Sequence, residues 1–262
     1  MKLKIYQVDT FTDKIFSGNP AAVCPLDKWL TDGILQKIAK ENNLPATAFY
    51  VKQDNSYHIR WFTPATEIDL CGHATLASAF VLFNFENHIG NIINLYSDRS
   101  GVLTVTKENK YISLNLPSDL CEPTELTDLI SQGFDIKPQK AFKSKTRLML
   151  VFDNESEIRT LNADFNNLSR LHTKGVIVTA KGDEADFVSR YFTFQSGLHE
   201  DPVTGSAHTT LIPYWAKQLG RTDSTAIQLS ERKGYLKCKY LNERVEISGQ
   251  AKLYSKGKIF IN

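Results

Sequence analysis

The sequence has few of the features that define several large protein classes. Only 4 of its 262 residues are cysteine, and their positions, 24, 71, 121 and 238, are scattered. That scatter fits neither a zinc site nor a disulfide framework. The longest apolar run, residues 74–83, is interrupted by Thr75 and Ser78 and is shorter than the roughly 20 residues of a membrane span. We therefore expect reduced thiols, no metal ion and no membrane segment.

Neither sign of charge dominates the sequence. The 31 basic and 29 acidic residues give a net charge of +2 and are interleaved along the chain, which argues against a nucleic-acid partner. Hydrophobic residues make up 42% and charged residues 23%, proportions that are typical of a globular protein. The first residues alternate like a strand and lack the apolar core of a signal peptide, so a cytoplasmic location is expected.

The sequence does contain an internal repeat. Residues 57–63 lead through a short loop to Cys71-Gly72-His73, and residues 187–193 lead in the same way to Thr204-Gly205-Ser206. Gly72 and Gly205 are separated by 133 positions, and so are two further glycines, Gly101 and Gly234. The alternative is a coincidence within a strand-rich chain. Two landmarks that share one offset favour duplication.

The repeated order of strand, glycine turn and helix predicts an α+β fold of two lobes. We expect an N-terminal lobe over residues 1–116 and a C-terminal lobe over residues 141–262, facing each other across a cleft. Prolines and a glycine punctuate residues 117–140, which predicts a connection there. Helices are expected over residues 74–84 and 207–219, and Pro213 predicts either a kink in the second helix or its early end.

Each expected helix begins just after a glycine. The first turn of a helix has unpaired backbone N–H groups and a positive dipole end, which suit a carboxylate or a phosphate. Asn19 lies in a turn that enters a strand, and its amide both donates and accepts hydrogen bonds. The candidate substrate-binding residues are Asn19, Cys71, Gly72, Thr204, Gly205 and Ser206.

Three side chains near these helix starts are candidates for proton transfer. The thiol pKa of Cys71 is expected to fall at a helix start, and the His73 imidazole is suited to meet a substrate. Asp201 precedes Pro202, which holds its turn, and a partly desolvated aspartate acts as a general acid or base. The structural alternatives are a buried cysteine, a capping histidine and an ordinary Asp-Pro turn.

Together these motifs resemble the phenazine biosynthesis PhzF-like family of the diaminopimelate epimerase superfamily. The resemblance is carried by Gly18-Asn19-Pro20-Ala21-Ala22-Val23, Trp61-Phe62-Thr63-Pro64, Asp69-Leu70-Cys71-Gly72-His73-Ala74-Thr75 and Glu200-Asp201-Pro202-Val203-Thr204-Gly205-Ser206-Ala207-His208. It implies two pseudo-symmetric lobes, each a curved, mostly antiparallel sheet around a central helix. It also implies a cofactor-free isomerase that moves a proton on a small carboxylate substrate, commonly as a homodimer.

The chain departs from the family pattern at one position. The family usually has a catalytic glutamate before Thr-Ala-Phe, where this chain has Ala46, and an alanine neither takes nor gives a proton. Glu41 and Cys71 are candidates to replace it. The epimerase branch uses two cysteines, but Thr204 stands at the second position here, which disfavours a two-thiol mechanism.

Three functions are therefore expected from the sequence. The first is an isomerase in which Asp201 and His73 handle protons. The second is a binding protein that has kept the site and lost the chemistry, because of Ala46. The third is a thiol enzyme that uses Cys71. Loops such as residues 194–199 are expected to shape the substrate pocket.

Overall fold

The computed structural model describes residues 1–193 and 199–261. Residues 194–198, in the loop expected to shape the substrate pocket, lie outside the described residues. The strands are β1 (Lys2–Thr10), β2 (Asn19–Leu26), β3 (Ala46–Gln53), β4 (Ser56–Phe62), β5 (Glu67–Ile68), β6 (Ile92–Ser97), β7 (Gly101–Glu108), β8 (Tyr111–Pro117), β9 (Glu122–Thr124), β10 (Lys140–Lys143), β11 (Leu148–Val151), β12 (Gly175–Lys181), β13 (Phe187–Thr193), β14 (Asp223–Gln228), β15 (Gly234–Leu241), β16 (Arg244–Gly249) and β17 (Ala251–Phe260). The helices are α1 (Asp32–Asn42), α2 (Gly72–Phe85), α3 (Asp128–Ser131), α4 (Glu155–Thr160), α5 (Phe165–Leu168) and α6 (Gly205–Leu219).

The chain divides into two compact units. The first comprises Met1–Leu116 with Glu246–Asn262, and the second comprises Pro117–Val245. These units differ from the expected lobes in two places. The expected connection, residues 117–140, contains β9 and α3, and β9 pairs with β10 of the second unit. The last strand, β17, pairs with β1 of the first unit along its length, because backbone hydrogen bonding, which carries no sequence signature, decides where a terminal strand belongs.

Both units repeat the same strand pairing. In the first unit β1–β2, β3–β4 and β6–β7 are antiparallel, whereas β2–β3 and β4–β6 are parallel. In the second unit β10–β11, β12–β13 and β14–β15 are antiparallel, whereas β11–β12 and β13–β14 are parallel. Helices lie in the chain between the members of each parallel pair, as a parallel crossover requires. The predicted duplication and mostly antiparallel α+β fold are confirmed.

A matching ion pair occurs in both repeats. Arg60 donates to both carboxylate oxygens of Glu67 at 2.7 and 2.8 Å, and Arg190 donates to those of Glu200 at 2.8 and 2.9 Å. Such two-pronged pairs fix direction as well as distance. Each ties a strand to the segment that precedes the next helix, and the sequence reasoning missed both pairs.

Helix α2 forms the centre of the first unit. Ten of its 14 residues are buried, among them Leu76 and Leu82, and the helix packs on β1, β2 and β3. Its two buried hydroxyls bond back to the helix, Thr75 Oγ1 to Cys71 O at 2.6 Å and Ser78 Oγ to Ala74 O at 2.8 Å. Because these bonds satisfy its polar groups, the helix is stable in an apolar setting.

Helix α6 continues through Pro213 to Leu219, so the expectation of an early end is wrong. A proline lacks the N–H that would bond the carbonyl four residues earlier, which here belongs to Thr209. The backbone N–H of Asp119 donates to that carbonyl at 3.1 Å. A tertiary contact thus replaces the missing helix bond, and the helix runs on to Gly220, whose φ of 67° ends it in the left-handed region.

Candidate functional site

Three predicted residues of the first unit, Cys71, Gly72 and His73, lie at the start of α2. Cys71 is the N-cap residue, with extended φ and ψ of −136° and 101°, and its side chain makes no capping hydrogen bond. Cys71 and His73 are both buried, at 5% and 6% exposure. The Cys71 Sγ lies 3.4 Å from His73 Nδ1. The structure therefore brings together the thiol and the imidazole that the sequence singled out.

Burial sets the charge of His73. It lowers the pKa of the imidazole from 6.5 to about 3, because an apolar surrounding disfavours the charged form. His73 is therefore neutral near pH 7. A neutral imidazole forms hydrogen bonds well, but a base with so low a pKa holds a proton poorly at that pH. The environment favours a hydrogen-bonding role over the expected role in proton transfer.

Ala46 and Asn19 lie at the starts of two adjacent strands. Ala46 begins β3 and Asn19 begins β2, and both are fully buried. Ala46 pairs in parallel register with Ala21. Glu41, a candidate to replace the missing glutamate, is exposed on α1. The Glu41 carboxylate therefore does not occupy the buried place of a side chain at Ala46.

In the second unit a hydrogen-bond network fixes Asp201 at the start of α6. Thr204 is the N-cap residue, and its Oγ1 donates to Asp201 Oδ2 at 2.6 Å. The Gln228 side chain accepts from Thr204 N and donates to Asp201 O, both at 2.8 Å. The Asp201 N–H donates to Tyr191 O at 3.1 Å. The carboxylate is therefore held by the residues around it and remains half-buried.

His208, within the family motif, braces the same helix start. Its Nδ1 lies 2.9 Å from Thr204 O. Because a carbonyl only accepts, this nitrogen carries the hydrogen of the neutral ring. Burial lowers the pKa of His208 to about 4. Its Nε2 is buried and has no hydrogen-bond partner among the described residues.

Sequence reasoning missed Arg147 and Asp119 beside this helix start. Arg147 Nη2 donates to Ser206 Oγ at 2.9 Å. Asp119 Oδ2 accepts from Ser144 Oγ at 2.8 Å, from Thr210 Oγ1 at 3.2 Å and from Arg147 Nη1 at 3.5 Å. The available signals were weak: a basic residue just before the apolar strand β11, and an acidic residue in a segment that reads as a connection.

The two helix starts therefore offer different chemistry. That of α2 carries a thiol and a neutral imidazole, and that of α6 carries a carboxylate, a hydroxyl and a guanidinium. In the described part of the chain, no group of three or more His, Cys, Asp or Glu residues is placed to hold a metal ion. Among the described helices, none is both long and apolar enough to cross a membrane.

Comparison with known proteins identifies the family. Residues 8–257 match the family model PhzC-PhzF, described as phenazine biosynthesis-like protein, so the chain belongs to this family. It is 47% identical over 261 residues to a Pseudomonas aeruginosa protein named an uncharacterized isomerase, covering 100% of both chains. It is also similar to a PhzF-family crystal structure from Enterococcus faecalis, with a TM-score of 0.96 and 45% identity over 100% of both chains.

A more distant structure shares the fold alone. A hydroxyproline epimerase from Agrobacterium vitis matches with a TM-score of 0.63 and 8% identity, covering 98% of this chain and 92% of the epimerase. The predicted diaminopimelate epimerase-like fold is confirmed. Two relatives that are 47% and 45% identical to this chain, both from Pseudomonas aeruginosa, are named uncharacterized isomerases.

Proposed function

We propose that this chain is a cofactor-independent isomerase that moves a proton on a small carboxylate substrate. The observation that carries the proposal is the Asp201 carboxylate at the start of α6, held by the Thr204 hydroxyl at 2.6 Å. A proton-transfer group needs fixed geometry and partial shielding from water. Asp201 has both, since it is half-buried and its backbone is bonded to Tyr191 and Gln228.

The start of α6 also supports binding of a carboxylate. The helix dipole and backbone N–H groups of Gly205 and Ser206 favour an anion. The Arg147 guanidinium lies beside this helix start, where its Nη2 donates to Ser206 Oγ at 2.9 Å. The backbone N–H groups and the helix dipole offset part of the negative charge of a carboxylate bound here, which eases removal of a proton from the neighbouring carbon.

The start of α2 offers hydrogen-bonding groups. His73 is neutral near pH 7 because burial lowers its pKa to about 3. Helix α2 begins at Gly72, and the backbone N–H groups of its first turn are hydrogen-bond donors. Among the predicted site residues Asp201 alone carries a carboxylate. We therefore assign proton transfer to Asp201 and a hydrogen bond to His73.

Solvent deuterium incorporation tests the proposal. The chain is incubated in D₂O with a panel of α-amino, α-hydroxy and unsaturated carboxylates, including the trans-4-hydroxy-L-proline bound by the Agrobacterium vitis epimerase. We expect exchange into at least one acid, and a loss of about 100-fold or more in Asp201→Asn, since general acid–base catalysis contributes about 10²–10⁴-fold. Asp183→Asn, at an exposed position of the same unit, is the matched control. Equal exchange in Asp201→Asn and wild type would remove Asp201 from the mechanism.

Ala46 favours a second candidate function, a binding protein that has lost catalysis. The residue is fully buried at the position where the family resemblance implies a catalytic glutamate, and its methyl group transfers no proton. Ala46→Glu separates the two functions in the same exchange assay. Exchange in both proteins supports the isomerase. Exchange only in Ala46→Glu, combined with carboxylate binding by the wild type, supports the binding protein.

A further inference from the structure

We infer that Arg147 is a positioning residue that fixes the direction of the Ser206 hydroxyl hydrogen toward a bound carboxylate. This inference rests on the proposed function, because the carboxylate is its proposed ligand. Its starting point is the hydrogen bond from Arg147 Nη2 to Ser206 Oγ at 2.9 Å. A guanidinium has only donors, so the Ser206 oxygen is the acceptor in this contact.

The Ser206 hydroxyl is therefore a hydrogen-bond donor toward any further partner. Its oxygen receives the Arg147 N–H, and its own hydrogen is free to be donated elsewhere. Among the described residues, none accepts that hydrogen. Ser206 is half-buried at the second position of α6, where the helix dipole favours an anion. A carboxylate oxygen is the acceptor that completes this geometry.

Arg147 is placed to act through Ser206 rather than on a ligand directly. Its side chain is 15% exposed, and both terminal nitrogens already have partners. Nη1 donates to Asp119 Oδ2 at 3.5 Å and to Thr146 Oγ1 at 3.3 Å, and Nη2 donates to Ser206. The guanidinium also lies 5.9 Å from the centre of the Tyr191 ring. These contacts hold the guanidinium in one orientation.

Asp119 links the Arg147 guanidinium to helix α6. Its carboxylate accepts from Arg147 and from the Thr210 hydroxyl, and its backbone N–H bonds the Thr209 carbonyl. One residue therefore fixes both the helix and the arginine beside its first turn. A planar, multi-donor guanidinium suits this task better than a lysine ammonium, which is a single point charge on a flexible chain.

A double-mutant cycle on the exchange reaction tests the inference. Arg147→Met and Ser206→Ala are each expected to raise KM about 10- to 100-fold, as for lost hydrogen bonds to a charged group, with kcat changed far less. The double variant is expected to be no weaker than Ser206→Ala alone, because Arg147 acts through that hydroxyl. Arg147→Lys is expected to recover part of the loss. Arg170→Met, at an exposed position of the same unit, is the matched control.

If the rise in KM of the double variant equals the two single effects combined, the inference is overturned. Arg147 would then bind the carboxylate independently of Ser206, either by direct contact or by its charge. If Arg147→Met does not fold, the inference is tested instead with Arg147→Lys and by neutron diffraction. The neutron structure of the unliganded, deuterated wild type is expected to show deuterium on Arg147 Nη2 directed at Ser206 Oγ, with the hydroxyl deuterium directed away from the arginine. Any other acceptor for Nη2 would refute the positioning role. The expected neutron result without exchange in any acid would refute the proposed function alone.

Discussion

The starts of α2 and α6 have the same backbone and different chemistry. Cys71 and Thr204 lie 133 positions apart, are both N-cap residues, and have similar φ, ψ values of −136°, 101° and −111°, 92°. The first is next to a buried, neutral imidazole, whereas the second donates to the Asp201 carboxylate. The two helix starts therefore share one backbone frame, and they differ in the side chains that contact the N-cap residue.

The largest expected effect concerns the bodies of the two helices. Leu76 in α2 is fully buried. Thr209 in α6 is its equivalent in the second repeat, 133 positions further along the chain. We expect Leu76→Ala to lower the free energy of unfolding by about 2–5 kcal/mol. Thr209→Ala removes one hydrogen bond, from Oγ1 to Ser206 O, and is expected to cost about 1 kcal/mol. Urea unfolding at pH 7 measures both. Equal losses would show that the buried Leu76 side chain contributes no more than the single hydrogen bond of Thr209.

The next effect concerns the equivalent N-cap residues. Thr204→Val removes the hydrogen bond that holds Asp201, and we expect the deuterium exchange rate to fall about 10- to 100-fold, because hydrogen bonds to charged groups contribute about 1.5–3 kcal/mol. Cys71→Ser is expected to keep the rate within a few-fold. A loss of 100-fold or more in Cys71→Ser would instead place proton transfer on the thiol.

Acid sensitivity distinguishes buried from exposed histidines. Burial lowers the pKa of His73 to about 3, below the value of about 6.5 in an unfolded chain. Between these values the unfolded state binds more protons, so stability falls as the pH drops below 6.5.

We expect His73→Asn to reduce the stability lost between pH 7 and pH 5 by about 1–2 kcal/mol. Thermal unfolding of wild type and variant at the two pH values measures this difference. His172→Asn, at an exposed position, should leave it unchanged. A wild-type pH dependence retained in full by His73→Asn would mean that His73 is protonated in the folded protein.

The smallest effect is expected at Pro213. A proline in a helix interior ordinarily costs about 3 kcal/mol relative to alanine. Here the Thr209 carbonyl already accepts from Asp119 N, so Pro213→Ala is expected to change the free energy of unfolding by less than about 1 kcal/mol. Urea unfolding gives the value. A gain near 3 kcal/mol would show that the Asp119 contact does not compensate for the proline.

Local patterns predicted much of the fold. The offset between the glycines predicted the duplication, and the strand from Phe187 to Thr193 was placed with its observed bounds. The two central helices were also placed, although each begins two residues earlier than expected. These features depend on residues that are close in sequence, so periodicity and glycine positions report them directly. The Arg60–Glu67 and Arg190–Glu200 pairs escaped notice because charged residues are common along any sequence, and only the fold brings each pair together.

The sequence by itself determined which backbone features recur and which residue types stand at the two helix starts, from Cys71-Gly72-His73 to Thr204-Gly205-Ser206. Only the tertiary structure decided that β17 belongs to the first unit, that His73 is buried and neutral, and that Arg147 and Asp119 stand beside α6. Each of these depends on groups distant in sequence becoming close in space. Burial and hydrogen-bond partners determine the charge and the orientation of these side chains, and the local sequence specifies neither burial nor partners.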